Sequence, residues 1–159
     1  SELIDKKKAF LDELKEAIDK QKNLSLDFVQ ENLNHCKSLG ALPQKVKHLD
    51  AKFNKVLDTA FKKMNLSKDE ADFIRFKTTV DHLMEQNNAR RLDHEQLFIR
   101  RKIDEITKEI KQLENNISFI SNASEDNPLV KNVYKNIEDQ KKGLEFWKRK
   151  ISYMNKLEY

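Results

Sequence analysis

Two runs of apolar residues at alternating spacings of three and four occupy the C-terminal part of the sequence, over residues 99–120 and 130–154. Such spacing places the apolar side chains on one stripe of a helix, and two helices with stripes of this kind pack together as a coiled coil. Residues 121–128, which separate the runs, are mostly polar. We therefore predict a long antiparallel coiled-coil hairpin over residues 87–159.

The heptad pattern also predicts how the two arms pair. In an antiparallel coiled coil, an a position of one helix lies opposite a d position of the other. With Ile99 at d and Val130 at a, Trp147 takes a packing position and Gln140 is the one polar residue of the stripe. The expected layers are Ile120 with Val130, Ile117 with Val133, Leu113 with Ile137, Ile110 with Gln140, Ile106 with Leu144, Ile103 with Trp147 and Ile99 with Ile151.

Residues 1–86 predict four shorter helices. Apolar residues at helical spacing indicate helices over 2–21 and 25–39, a third that begins near Pro43, and a fourth that starts at the capping box Ser67–Glu70. The chain holds only 2 Gly and 2 Pro, so a sheet protein with many tight turns is hard to build from it. We predict an all-α protein, in which a small helical bundle or repeat unit precedes the hairpin.

Three short segments carry a resemblance to a known family. Cys36–Pro43, Leu49–Phe53 and Ala60-Phe61 resemble the repeat of a bacterial helical-repeat family known as domain of unknown function three-four-nine. The end of the first arm, Leu113–Ile120, is similar to the C-terminal part of long members from the Bacteroides lineage. The match covers most of residues 25–157. The resemblance implies a terminal section of a larger, multi-repeat cytoplasmic protein, and it implies no activity.

The chain departs from that family at two positions. Cys36 and Asp50 stand where the repeat carries tryptophan. Any packing or binding role of those rings in other members therefore does not transfer to this chain.

The residue types that catalysis and metal binding require do not occur in a useful arrangement. Gly40 and Gly143 are the only glycines, so a glycine-rich phosphate loop is excluded. The histidines have no metal-binding spacing on one helix; they are His35, His48, His82 and His94. We expect no catalytic residue, no cofactor and no metal site, and therefore no enzyme.

The single cysteine, Cys36, rules out an internal disulfide and indicates a reducing compartment. No stretch is apolar over the length that a membrane-spanning helix needs, and no signal-peptide core is present at the start. We expect a cytoplasmic protein that does not bind membranes.

Six cations define one candidate site, which we call the basic belt. In the predicted register, Arg100 and Lys148 lie at e, Lys102 and Lys150 at g, and Arg101 and Arg149 at f. Antiparallel pairing brings e beside e and g beside g, so like charges flank both edges of the seam. Asp104, Glu105 and Glu145 lie three or four residues away and neutralise part of this charge.

Two functions fit these features. The first is a non-catalytic structural or protein-interaction module that presents long helical surfaces. The alternative is binding of RNA or DNA phosphates through the basic belt. A net charge of +4 is low for a phosphate-binding domain, and runs such as Lys6–Lys8 read as solvated helix faces. The sequence leaves the identity of the partner and the oligomeric state open.

Overall fold

The computed structural model describes residues 2–20, 24–39, 48–120 and 127–159, apart from the side chains of residues 37, 38 and 48–50. These residues contain six α-helices and no strand, which confirms the predicted all-α class. The chain divides into two units, Ser1–Gln86 and Asn87–Tyr159. The helices are α1 (Glu2–Lys20), α2 (Leu26–Ser38), α3 (His48–Lys63), α4 (Lys68–Glu85), α5 (Ala89–Phe119) and α6 (Pro128–Asn155).

An apolar core that receives side chains from all four helices holds the first unit together. In this unit α1 packs against α2 and α3, and α2 packs against α4. Burial at three- and four-residue spacing shows that each helix turns one stripe inward. The core residues are Leu11, Leu14, Ile18, Val29, Leu33, Cys36, Phe53, Val56, Leu57, Ala60, Phe61 and Ile74.

Lys7 corrects the prediction that the run Lys6–Lys8 is a solvated face. Its side chain is only 5% exposed. The reason is its position, because Lys7 precedes Leu11, Leu14 and Ile18 at the spacing of the buried stripe of α1. The aliphatic part of a lysine can cover apolar neighbours in this way while its ammonium group finds polar ones.

The end of α3 is capped without glycine. Asn65 adopts a positive φ of 55°, which asparagine tolerates better than most residues. The amide of Leu66 donates to the carbonyl of Phe61 at 3.1 Å, and the amide of Asn65 donates to that of Lys62 at 3.1 Å. These two bonds form a Schellman motif, which satisfies carbonyls that a helix end leaves without partners.

A lysine from α3 caps the end of α1. Lys63 Nζ donates to the carbonyl of Ile18 at 2.6 Å and to that of Asp19 at 3.3 Å. A cation there also opposes the negative end of the helix dipole. Contact between α1 and α3 is thereby fixed at the last turn of both helices.

Arg75 links α4 to α3. Its guanidinium donates to Asn54 Oδ1 at 2.7 Å and pairs with Asp58 Oδ1 at 2.8 Å, while its Cζ lies 5.2 Å from the centroid of the Phe61 ring. Planar geometry allows a guanidinium to make in-plane hydrogen bonds and a ring contact together. This network orients α4 beside the core.

Asparagine and serine side chains begin the later helices. Ser67 Oγ accepts from the amide of Glu70 at 3.2 Å, as the predicted capping box requires. The chain turns between α4 and α5, since α4 ends at Glu85 and Asn87 has a φ of 53°. Asn88 then caps α5 by accepting from the amide of Arg91. The predicted start of the third helix near Pro43 and most of the polar segment between the two heptad runs, residues 121–126, lie outside the described residues.

In the second unit α5 packs against α6. The fully buried apolar residues of this pair are Leu92, Ile99, Ile110, Val130, Ile137 and Met154. Every heptad position predicted to lie in the seam is buried or half-buried. Two polar contacts accompany this packing, since the Tyr159 hydroxyl donates to Asp93 of α5 and Arg100 of α5 donates to Asn155 of α6.

Replacement of the cap of α4 tests the local origin of this fold. We expect Ser67→Ala to lower the free energy of unfolding by about 1 kcal/mol, because the amide of Glu70 loses its acceptor. Urea denaturation followed by circular dichroism measures this change. Ser67→Asp keeps an acceptor at the same place and should retain most of the stability. Equal losses in the two variants would show that the Ser67 cap does not stabilise α4.

Candidate functional site

Three aromatic rings from two helices meet on the surface of the second unit. The Phe98 ring of α5 lies 5.9 Å from the Trp147 ring of α6, centroid to centroid, at an interplanar angle of 66°. Phe146 lies 6.2 Å from Trp147 at 73°. Edge-to-face contacts of this kind place the positive edge of one ring against the negative face of the next. The three rings therefore form a continuous apolar surface across α5 and α6.

Two lysines lie over these rings, one from each helix. Lys102 Nζ is 5.6 Å from the centroid of Phe98. Lys150 Nζ is 4.6 Å from the centroid of Phe146 and 4.5 Å from that of Trp147. An ammonium group at such distances is attracted by the negative face of the ring, by about 0.5–1 kcal/mol at an exposed site. We call these five residues the lysine–aromatic cluster.

Helical spacing explains why the cluster forms. Phe98 precedes Lys102 by four residues, and Phe146 precedes Lys150 by four, so each ring and its lysine lie on one face of a helix. The heptad pattern does not predict a role for Phe98 or Phe146, because both lie outside the seam. An aromatic residue four positions before a lysine on both helices is the signal in the sequence that identifies them.

The structure brings together only part of the predicted basic belt. Lys102 and Lys150 are connected through the rings. Arg100 instead donates to Asn155 Oδ1 across α5 and α6, at 3.2 Å. Glu105 pairs with Lys102 at 3.7 Å, rather than with Arg101 four residues before it.

Three further belt residues, Arg101, Lys148 and Arg149, are all exposed. Six cations lie within one helical turn of only three acids, so this surface has a positive charge. The belt is thus divided into two lysines that contact rings, an arginine that contacts Asn155 and three exposed cations.

Two consecutive large apolar side chains of α5 are exposed. Leu97 is 48% exposed, and Phe98, which belongs to the cluster, is 47% exposed. Single exposed apolar residues are common in soluble proteins, but Phe98 is also in contact with a further ring. Aromatic residues of this kind are enriched in the cores of protein interfaces.

A hydrogen-bond pair fixes the last residue to the start of α5. The Tyr159 hydroxyl donates to Asp93 Oδ1 at 2.6 Å and accepts from Gln96 Nε2 at 3.0 Å. Burial of the hydroxyl, its hydrogen bond to Asp93 and the charge of that carboxylate raise the pKa of Tyr159 from 10.0 to about 12. Since the ring is half exposed, the short bond to Asp93 is the strongest physical cause.

The first unit contains an open cleft of about 340 Å³. It is lined by Lys7, Leu33, Cys36, Phe53, Asn54, Arg75 and Thr79. The guanidinium of Arg75 is already held by Asn54 and Asp58.

Within the described ranges, no group of three or more His, Cys, Asp or Glu side chains is arranged to hold a metal ion. No helix in the same ranges has the length and apolar character needed to cross a bilayer. No protein-family model, curated protein or solved structure matches the chain.

The pKa of Tyr159 gives a test of this hydrogen-bond pair. The folded-state pKa of about 12 exceeds the ordinary tyrosine pKa of 10.0, so the stability that this group contributes is complete below pH 10 and is lost as the pH rises towards 12. We expect Asp93→Asn to lower the pKa of Tyr159. Ultraviolet titration of the phenolate, with Tyr159→Phe subtracted to identify the signal, measures the pKa. An unchanged pKa in Asp93→Asn would exclude the carboxylate as its cause.

Proposed function

We propose that this chain is a non-catalytic protein-interaction module that presents its helical surfaces to a protein partner. The observation that carries this proposal is the exposure of two consecutive large apolar side chains of α5, Leu97 and Phe98, of which Phe98 contacts the Trp147 ring of the lysine–aromatic cluster. The apolar stripes of α5 and α6 are already used in contact between the two helices. Large apolar side chains left outside that contact favour an interface with another molecule.

We also propose that α5 and α6 form the antiparallel coiled-coil hairpin that the heptads predict. The inward orientation of every heptad position supports this arrangement. In the expected register, Arg100 lies level with residue 150 and Phe98 with residue 152. Their contacts are with Asn155 and Trp147, which are five residues from those levels in opposite directions. Long side chains can span that distance. Because one contact is displaced towards the start of α6 and the other towards its end, the proposed register lies between them.

A disulfide test distinguishes this register from a shifted one. In a Cys36→Ala background, Leu113→Cys with Ile137→Cys should form an intramolecular disulfide on mild oxidation, because the pair shares a core layer. Leu113→Cys with Leu144→Cys is the control, since Leu144 is one heptad away. Mass spectrometry identifies the linked peptides. Efficient linkage of the control pair, or none of the first, contradicts the register.

Phosphate binding through the basic belt is the second candidate function. The belt consists of Arg100, Arg101, Lys102, Lys148, Arg149 and Lys150. One observation favours it, namely that lysines and rings occur together, as they do on surfaces that bind single-stranded nucleic acid. Against it, the rings have already attracted Lys102 and Lys150, so these charges need an external anion less than the sequence implies.

The family resemblance supports a proposal about context. We place the chain as a terminal section of a larger multi-repeat bacterial cytoplasmic protein. Of the residues that carry the resemblance, Cys36, Phe53, Ala60 and Phe61 all lie in the core of the first unit. Residues that carry a repeat signature are expected to pack in this way.

Site-specific photocrosslinking tests the interaction function. A photoreactive phenylalanine in place of Leu97, introduced into the protein in its own host, should capture a partner protein on illumination. The exposed Lys108 of the same helix provides the matched control position and should capture little. The adduct should disappear on protease treatment and survive nuclease treatment.

Two results would contradict the proposal. Equal capture at the two positions would remove the basis for an interface at Leu97. An adduct that nuclease destroys would favour the phosphate-binding alternative.

A further inference from the structure

We propose that the lysine–aromatic cluster is the docking site for an acidic protein segment with an apolar anchor. The anchor would lie against Phe98, and carboxylates on either side of it would pair with Lys102 and Lys150. This inference depends on the interaction function proposed above, and it specifies the chemistry of the partner.

The apolar part of the site is Phe98 and its neighbours. Half of Phe98 is accessible, and behind it lie Trp147 and, beyond that, Phe146. An apolar side chain that packs on Phe98 would displace water from the exposed part of this ring, which is already in position before the partner binds. Because the rings hold one another in place, little side-chain entropy is lost on binding.

The two lysines give the site its charge preference. They come from different helices and lie over different rings, Lys102 over Phe98 and Lys150 over Phe146 and Trp147. A ring attracts an ammonium group as a whole, and the group has three N–H donors with which to reach a carboxylate. Contact with the rings also restrains both side chains before a partner arrives. The site therefore presents a cation, a ring surface and a second cation in that order. A partner with a carboxylate, an apolar side chain and a second carboxylate in the same order would match it.

The surrounding charges favour the same partner. Six cations of the basic belt face three acids within one helical turn, Asp104, Glu105 and Glu145. The surface around the cluster is therefore positive, and opposite potentials accelerate association and select partners. An acidic segment complements this surface, whereas a basic one is repelled.

The positions of the lysines also argue against nucleic acid at the cluster. Bases bind aromatic residues by stacking on their faces. Lys102 takes a face of Phe98, and Lys150 takes faces of Phe146 and Trp147. A base would have to displace these cations or stack on ring faces that the lysines leave uncovered. An aliphatic side chain, in contrast, can pack against the ring edges. The cluster is better suited to a protein side chain.

Selection from a randomised peptide library displayed on phage, with the chain as bait, tests this inference. We expect the enriched peptides to carry Asp or Glu on both sides of a large apolar residue. By fluorescence anisotropy, synthetic copies should bind the parent chain about tenfold more tightly than Phe98→Ala or the double variant Lys102→Gln/Lys150→Gln. Circular dichroism verifies that both variants retain the helix content of the parent.

A second double variant controls for loss of charge alone. Lys111→Gln/Lys135→Gln also removes one exposed lysine from each of α5 and α6, but outside the cluster. It should bind the selected peptides as the parent does. Equal weakening in this control would mean that general electrostatic attraction, and not the cluster, binds the peptides.

Three results would overturn the inference. They are no enrichment or enrichment without acidic residues, equal binding to parent and Phe98→Ala, and displacement of the peptides by single-stranded oligo(dT) whose own binding is lost in Phe98→Ala. The last would assign the cluster to nucleic acid. A protein crosslink at Leu97 without acidic peptides would leave the interaction function standing and reject only the acidic partner. Absence of both would reject the two proposals together.

Discussion

Contact between apolar stripes holds each unit of this chain together, and the stripes are narrow. With 38% hydrophobic and 36% charged residues, each helix has enough apolar side chains for about one face and charged residues for the rest. Ile18, Leu57 and Ala60 are almost fully buried in the first unit, as are Leu92 and Ile99 in the second. The stripes bury most of the apolar residues, and Leu97 and Phe98 are among the large ones that stay exposed.

The helix ends show which parts of the fold the sequence predicts. Ser67 caps α4 through the amide of Glu70, only three residues away, so this cap can be predicted from the local sequence. The cap of α1 is different, because Lys63 reaches the carbonyl of Ile18 from another helix. No local pattern connects those two residues. Lys7 is an intermediate case. Its spacing from Leu11 places it on the buried stripe of α1, but its charge led to the wrong prediction that it is exposed to solvent.

The candidate site divides in the same way. The six cations of the basic belt follow from heptad positions, and they are visible in the sequence. Which of them come together depends on side-chain directions and on contacts between helices. Lys102 turns towards Phe98 and Glu105, whereas Arg100 reaches Asn155 on the other helix. The contact of Phe98 with Trp147 requires the relative position of α5 and α6, which a pattern within one helix does not contain.

The rings alter what the positive charge at this surface implies. Like charges that flank a coiled-coil seam are unfavourable unless something neutralises them. Ring faces supply part of that stabilisation to Lys102 and Lys150, and Glu105 adds a weak ion pair. The need for a polyanion is therefore smaller than the charges alone indicate. What remains unexplained by stability is the exposure of Phe98 and Leu97, because burial of either would lower the free energy of the chain. A protein partner that covers the apolar surface between two cations would account for the exposed apolar side chains and for the positive charge. A phosphate chain would account for the positive charge alone.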